Sequence, residues 1–133
     1  MKKIIIIILS LPILLLACGN DNVAKQLKNE MQSLKEQCPQ YLGDGLVMTD
    51  VNFYEAEKIL EYVCSIEGIY YLEPSLIDEM KESMLDSFDN DISLFEELSI
   101  KTTIKQYDYT FRYIYTDIDG NELCTIDIDK NDL

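Results

Sequence analysis

The 133-residue sequence contains no histidine, so it lacks the side chain that most often serves as a general base or a metal ligand. No two of its four cysteines are spaced as Cys-x-x-Cys, which argues against zinc sites and thioredoxin-like redox sites. Basic residues are few, because 11 Lys and Arg stand against 25 Asp and Glu, for a net charge of −14. A surface of this sign repels phosphates. The sequence therefore predicts a protein with no cofactor and no nucleic-acid partner.

The sequence also lacks an apolar run long enough to cross a bilayer as a helix. Its longest run covers residues 4–17 and contains Ser10 and Pro12, whereas a spanning helix takes roughly 20 apolar residues. Two lysines precede the run and the small residue Ala17 ends it. These are the three parts of a secretory signal peptide, which is removed from the mature protein.

The end of this run, Leu-Leu-Ala-Cys at positions 15–18, resembles the lipobox of bacterial lipoproteins. In that family cleavage falls directly before the cysteine, whose thiol carries a diacylglyceryl group and whose freed amine is usually acylated. The resemblance implies that residues 1–17 are removed and that Cys18 is the lipid-attachment residue. Two chains make the anchoring stable, because each buried methylene contributes only about 0.8 kcal/mol. The alternatives are an uncleaved signal anchor or a secreted protein with an incidental cysteine.

By the same resemblance, residues 18–22 form the lipid anchor and a short tether, which keeps the domain near the membrane surface. Gly19 follows the cysteine, where enterobacterial lipoproteins retained at the inner membrane carry Asp. The resemblance therefore implies a location in the cell envelope, facing the periplasm or the exterior. The outer membrane is favoured over the inner one where both exist.

Residues 23–133 are predicted to form a single acidic domain. Without Lys2 and Lys3, nine basic residues face 25 acidic ones, a net charge of −16. Such a charge is typical of a solvated, soluble outer face. The alternative is a docking surface for a cationic protein partner, whose encounter the charge would accelerate.

Three cysteines remain after Cys18, in a compartment that permits disulfides. They allow one bridge, in any of three pairings, and leave one thiol over. We favour a bridge between Cys38 and Cys64, because both lie in the first half of the mature chain, one at a helix end and one in a strand. Cys124 then behaves as a small buried hydrophobic residue.

Two main helices are predicted from the spacing of apolar residues. The first starts near Val23 and ends before Pro39, which pushes the preceding residue out of the helical region. Its apolar residues share one face: Leu27, Met31, Leu34 and Cys38. Ser75 opens the second helix as part of a capping box. A break at residues 89–91 and a short helical turn over 92–98 follow, although the spacing also allows one longer helix.

Four strands complete the expected fold. Residues 46–53 and 59–66 have strand composition, and aromatic residues alternate strictly with other residues over 107–115. A two-residue turn at Asp119-Gly120 would place three pairs opposite each other: Tyr115 with Cys124, Tyr113 with Ile126, and Phe111 with Ile128. We therefore predict an α+β two-layer domain, with two helices on one face of an antiparallel sheet of about four strands, in the order αββαββ. The repeated order indicates a duplicated αββ unit. Small envelope proteins and some secreted inhibitors are similar in outline, which says little about activity.

Three candidate sites fail on closer inspection. The carboxylates lie on predicted outer faces or in turns, so no buried pair favours catalysis, and we expect the protein not to be an enzyme. The segment 117–122 begins like a calcium loop but has Glu122 where the sixth position requires Gly, so a hairpin turn is the better interpretation. The aromatic row of residues 107–115 fits the core better than a binding platform.

Together these features predict a membrane-anchored lipoprotein whose domain binds another protein, as an inhibitor or immunity factor. The alternative is a structural or assembly lipoprotein of an envelope complex.

Overall fold

The computed structural model describes residues 20–88, 101 and 103–133. The predicted signal peptide, Cys18 and the helical turn expected over 92–98 lie outside the described residues. The described elements follow each other along the chain as helix α1 (Asn20–Gln37), strands β1 (Gln40–Gly43), β2 (Leu46–Tyr54) and β3 (Ile59–Ile66), helix α2 (Pro74–Asp86), strands β4 (Thr110–Thr116) and β5 (Glu122–Ile128), and a final 3-10 turn (Lys130–Asp132).

The five described strands form one sheet in the order β1-β2-β3-β4-β5, so the predicted α+β class is confirmed. Two details differ from the prediction. β1 is an additional strand, because Gln40–Gly43 pair with the start of β2. The sheet is also not wholly antiparallel, since β3 and β4 run parallel. Parallel neighbours need a long crossover connection, and the connection that contains α2 returns the chain to the end of the sheet where β3 began.

The core lies between the two helices and one face of the sheet. The apolar face of α1 is buried there through Val23, Leu27 and Met31, and that of α2 through Met80 and Met84. The inward residues of the strands alternate with outward ones, as a half-buried sheet requires. The aromatic row in β4 is part of this core, and the Phe88 ring packs edge-on against the Phe111 ring with centroids 6.4 Å apart.

The β4–β5 hairpin has the predicted register, because Tyr115 faces Cys124 and Phe111 faces Ile128. Its loop is longer than the predicted two-residue turn. The Asp117 N–H donates to the Asn121 carbonyl at 2.9 Å, and the Gly120 N–H donates to the Asp117 carbonyl at 3.1 Å. Gly120 has φ +90°, which fits a type I turn closed by a left-handed glycine. The segment considered as a calcium loop is therefore this hairpin connection.

The helix starts correct the sequence prediction in two places. α1 begins at Asn20, three residues before the expected start, so most of the predicted 18–22 tether is already helical. α2 begins at Pro74, and Glu73 before it is extended with no capping hydrogen bond from its side chain, so the predicted Ser75 cap is wrong. Proline suits the first helical position because it has no N–H to leave unpaired. Neither α1 nor any other described helix has the length and hydropathy needed to span a membrane.

Candidate functional site

The cysteines predicted to pair are free thiols in the structure, as is Cys124. The Cys38 thiol donates to the Leu34 carbonyl at 3.3 Å. Cys64 points into the core, and burial, with a smaller effect of Cys38, raises its pKa to about 12. The Cys38–Cys64 disulfide is thus not formed here, and it stays a prediction for oxidising conditions. Lipid attachment at Cys18 also stays a prediction, because that residue lies outside the described part of the chain.

The aromatic row of β4 belongs to the core, as predicted, and is not a binding platform. Tyr109, Phe111, Tyr113 and Tyr115 are all at most 4% exposed. Burial raises the pKa of Tyr113 and Tyr115 above the ordinary tyrosine value. The Tyr113 ring also stacks on Tyr62, with ring centroids 5.3 Å apart. These rings are therefore part of the core that the sheet shares with the two helices.

A row of polar side chains crosses four strands on the face opposite the helices. Asn52, Glu61, Arg112 and Asp127 are successive cross-strand neighbours. Asn52 Nδ2 donates to Glu61 Oε1 at 2.9 Å, and Arg112 donates to both Asp127 carboxylate oxygens at 2.9 and 3.1 Å. Arg112 Nη1 also lies 3.9 Å from Glu61 Oε2. Each carboxylate has polar partners, so the row serves as a structural clamp across the sheet.

This row contains a buried carboxylate. Glu61 lies on the outer face of the sheet, where carboxylates are expected, but it is only 7% exposed. Over residues 20–88, 101 and 103–133, no group of three or more Cys, Asp or Glu side chains is arranged to hold a metal ion.

The candidate functional site is the free edge of β2. β1 pairs with β2 only as far as Met48, which faces Gln40, the first residue of β1. A bulge follows in the pairing of β2 with β3, between Met48 and Asp50. On the side away from β3, the second half of β2 (residues 50–54) has no strand neighbour among the described residues. α1 runs beside this edge in the opposite direction, since Lys35 reaches Asp50 and Lys28 lies with Phe53 and Glu55.

The backbone N–H and C=O of Val51, which face the free edge, form hydrogen bonds with side chains. Its N–H donates to Asp50 Oδ1 at 2.9 Å, and its carbonyl accepts from Lys35 Nζ at 3.1 Å. The same ammonium donates to Asp50 Oδ1 at 2.8 Å and to Asn52 Oδ1 at 3.0 Å. We call this arrangement of Lys35, Asp50, Val51 and Asn52 the edge clasp. Charged side chains and covering helices are ways in which proteins protect free strand edges.

The edge clasp is easily opened. The Lys35 and Asp50 side chains are 45% and 44% exposed, and exposed ion pairs contribute only about 0–1 kcal/mol. Partial burial tends to raise the pKa of Asp50, but hydrogen bonds from Lys35 Nζ and the Val51 N–H outweigh it and hold the pKa below its ordinary value. The Asp50 carboxyl group is therefore ionised at neutral pH, and the ion pair with Lys35 is weakly held.

A groove of about 310 Å³ lies between α1 and this edge. Its apolar residues are Met31, Val51 and Phe53, and Lys28 and Lys35 lie at its rim together with polar neighbours. Three of its eight lining residues are apolar, and binding sites usually combine an apolar concave surface with polar groups that orient the ligand. Here the groove adjoins unpaired strand backbone, which makes it suitable for a peptide segment.

Sequence reasoning missed this site, because the free edge depends on where β1 stops pairing. The helical spacing places Lys28 and Lys35 away from the apolar face of α1, and both residues are exposed in the structure. No local pattern, however, showed that Lys35 reaches a strand 15 residues further along the chain.

Solved structures with a similar fold include two pilotins of type II secretion systems. EpsS from Vibrio vulnificus matches with a TM-score of 0.58 and 11% identity, covering 85% of this chain and 93% of that chain. AspS from Vibrio cholerae matches with a TM-score of 0.55 and 11% identity, covering 86% and 94%. A protein of Pseudomonas aeruginosa described as secreted, PA3611, matches with a TM-score of 0.53 and 12% identity, covering 87% and 97%. At these identities the likeness shows the fold alone.

No curated protein sequence is significantly similar to the chain. A family described as a domain of unknown function, DUF8479, matches residues 20–124, from the start of α1 to the middle of β5. This match covers most of the sequence, and the chain therefore belongs to the DUF8479 family.

Proposed function

We propose that the protein is a lipid-anchored lipoprotein of the bacterial cell envelope that supports assembly of a multiprotein envelope complex by binding one of its subunits. The observation that carries this proposal is the fold, which is similar to two type II secretion pilotins over 85% and 86% of the chain. The lipobox-like residues 15–18 supply the anchor. The groove at the β2 edge supplies a surface for a protein segment.

This proposal ranks assembly above inhibition. The main support for an inhibitor or immunity factor is the net negative charge, which favours a cationic partner. Charge alone does not select a function, because acidic surfaces are also common solvated surfaces. The fold likeness to two pilotins favours assembly, so inhibition becomes the second candidate.

The proposed location is the outer membrane where the cell has one, with the domain outside the cytoplasm. Cys18 would carry the lipid, and Gly19 after it does not match the inner-membrane retention signal. α1 begins two residues after Cys18, so the folded domain follows the anchor almost directly. A bound partner subunit would therefore lie at the membrane surface.

Lipid attachment is tested by growing cells with an alkyne analogue of palmitate and comparing the wild-type chain with Cys18→Ala. The wild type should incorporate the label and fractionate with membranes, and Cys18→Ala should do neither. Mass spectrometry of the mature wild-type protein should find residue 18 as the modified N-terminus. An unmodified Cys18, or a leader still attached, would contradict the anchor.

The assembly role is tested by crosslinking intact cells and purifying the protein from the wild type and from the Cys18→Ala strain. We expect one membrane complex to co-purify in constant stoichiometry from the wild type, and its assembly to fail when the gene is deleted. A complex that assembles normally without the protein would refute the assembly role. Capture of a soluble cationic enzyme or toxin, lost steeply with added salt, would favour inhibition instead.

A further inference from the structure

We propose that the free edge of β2 binds an extended segment of the partner subunit, which adds to the sheet beside residues 50–54 and carries apolar and acidic side chains. This inference rests on the proposed function, in which the protein binds a subunit of an envelope complex. It adds the mode of binding, the surface and the chemistry of the segment. Strand addition of this kind obtains affinity from main-chain hydrogen bonds and specificity from alternate side chains.

The backbone of the edge has the required donors and acceptors. The N–H and C=O of Val51 point away from β3, because they bond to Asp50 Oδ1 and Lys35 Nζ. In an antiparallel pair, every second residue directs both groups to the same side. Phe53 therefore presents its N–H and C=O to the same edge, and an incoming strand can pair with both residues once the edge clasp opens.

The groove supplies room for the alternate side chains of such a strand. An extended chain rises about 3.3 Å per residue, so residues 50–54 can pair with a segment of about five residues. Side chains directed toward α1 would contact Met31, Val51 and Phe53, which favours apolar residues at those positions. The short β1 strand shows that this side of β2 already accepts an antiparallel neighbour over residues 46–48.

The charged residues of the groove determine which charge is favoured on the partner segment. The whole chain is strongly acidic, but Lys28 and Lys35 both line this groove and Glu55 is its one acidic lining residue. Asp50 lies beside the groove and stays the ion-pair partner of Lys35, so the local excess of positive charge comes from Lys28. Strand pairing at Val51 would also release Lys35 from its carbonyl, leaving the ammonium close to the incoming segment. Carboxylates on that segment are therefore favoured over lysine or arginine.

The test uses displayed random peptides of 12 residues, selected on the full-length protein in detergent. Peptides that bind are then synthesised in three forms: unmodified, N-methylated at the odd residues and N-methylated at the even residues. Strand addition predicts that one methylated form binds at least about tenfold more weakly, while the other stays within about twofold, because only alternate amides face β2. Equal affinities for the two methylated forms would overturn the proposal.

Two protein variants test the chemistry of the groove. Lys28→Met removes the positive charge of Lys28 but keeps a side chain of similar length. It should weaken the binding of acidic peptides by about three- to tenfold. Lys105→Met is the matched control, because Lys105 is exposed and does not line the groove. Wild-type affinity for acidic peptides in Lys28→Met, with unchanged far-UV circular dichroism, would overturn the acidic preference.

An experiment in cells separates this inference from the proposed function. A photocrosslinking amino acid replaces either Gln32, which lines the groove, or the exposed Tyr71, which does not. Capture of an envelope-complex subunit from Gln32 and not from Tyr71 supports both. Capture of that subunit from Tyr71 alone overturns strand addition at this edge but keeps the assembly function. Register-dependent peptide binding without any captured subunit supports the inference and counts against the assembly function.

Discussion

Replacing Tyr62 with phenylalanine is expected to stabilise the protein. The Tyr62 side chain is 1% exposed, and its hydroxyl has no hydrogen-bond partner in the described part of the chain. Burying a hydroxyl without a partner costs about 1–3 kcal/mol. Tyr62→Phe removes that group but keeps the ring, which lies 5.3 Å from the Tyr113 ring and 6.2 Å from the Phe111 ring.

The expected gain is about 1 kcal/mol, because the small space left by the oxygen offsets part of the benefit. For a domain of this size the gain corresponds to a rise in Tm of about 4 °C. Urea unfolding followed by circular dichroism measures the free energy, with the m-value checking that the unfolded state is unchanged.

Tyr54→Phe is the matched control for this prediction. The Tyr54 hydroxyl donates to Glu61 Oε1 at 3.3 Å, and the residue is 41% exposed. The same chemical change should therefore lower the free energy of unfolding slightly, by about 0.5 kcal/mol. A loss of 1 kcal/mol or more in Tyr62→Phe would refute the reasoning, since it would show that the hydroxyl has a partner.

Three further predictions concern the clamp, the core and the hairpin. Arg112→Met should lower the free energy of unfolding by about 2 kcal/mol, because Asp127 and the buried Glu61 lose their shared cation; a loss below 0.5 kcal/mol in urea unfolding would contradict the clamp. Burial raises the pKa of the Cys64 thiol to about 12 from 9.0. The folded state therefore keeps this thiol protonated at a pH where the unfolded chain loses the proton, so the stability it contributes is complete below pH 9 and is lost as the pH rises toward 12. Urea unfolding midpoints that stay constant from pH 8 to 11.5 would contradict this. Gly120→Ala should cost about 1 kcal/mol, since φ is +90° there, and an unchanged Tm would show that the loop relaxes.

The parts of the fold that could be predicted are those in which one strand face is buried. Alternation of side chains then determines which residues point inward, and a slip of one residue would expose the whole set. This is why the pairings of Tyr115 with Cys124 and of Phe111 with Ile128 agree with the prediction. Proline was equally informative at the end of α1, because its effect on the preceding residue is local.

The parts that could not be predicted depend on contacts between distant segments. β1 has four residues, including Gly43, which is too short to show alternation. The parallel pairing of β3 with β4 depends on the path of the chain between them. The candidate site depends on two such contacts. Its free edge begins where the pairing of β1 with β2 ends, and its other side is formed by α1. Sequence periodicity identified the wet face of α1 but not the strand edge beside it.

The position of α1 links the proposed anchor to the groove. A helix rises about 1.5 Å per residue, so Lys28 lies about 12 Å along the axis from Asn20, and Lys35 about 22 Å. Because α1 runs opposite to β2, the part of α1 nearer to Cys18 lies beside the end of β2, where Lys28 lines the groove together with Phe53 and Glu55. With Cys18 held in the membrane as proposed, the residues at the rim would then lie within a few helical turns of the lipid headgroups. If both proposals hold, a partner segment that pairs with residues 50–54 binds near the membrane surface in an extended form. This requirement points to a subunit with an accessible extended tail rather than to a compact globular partner.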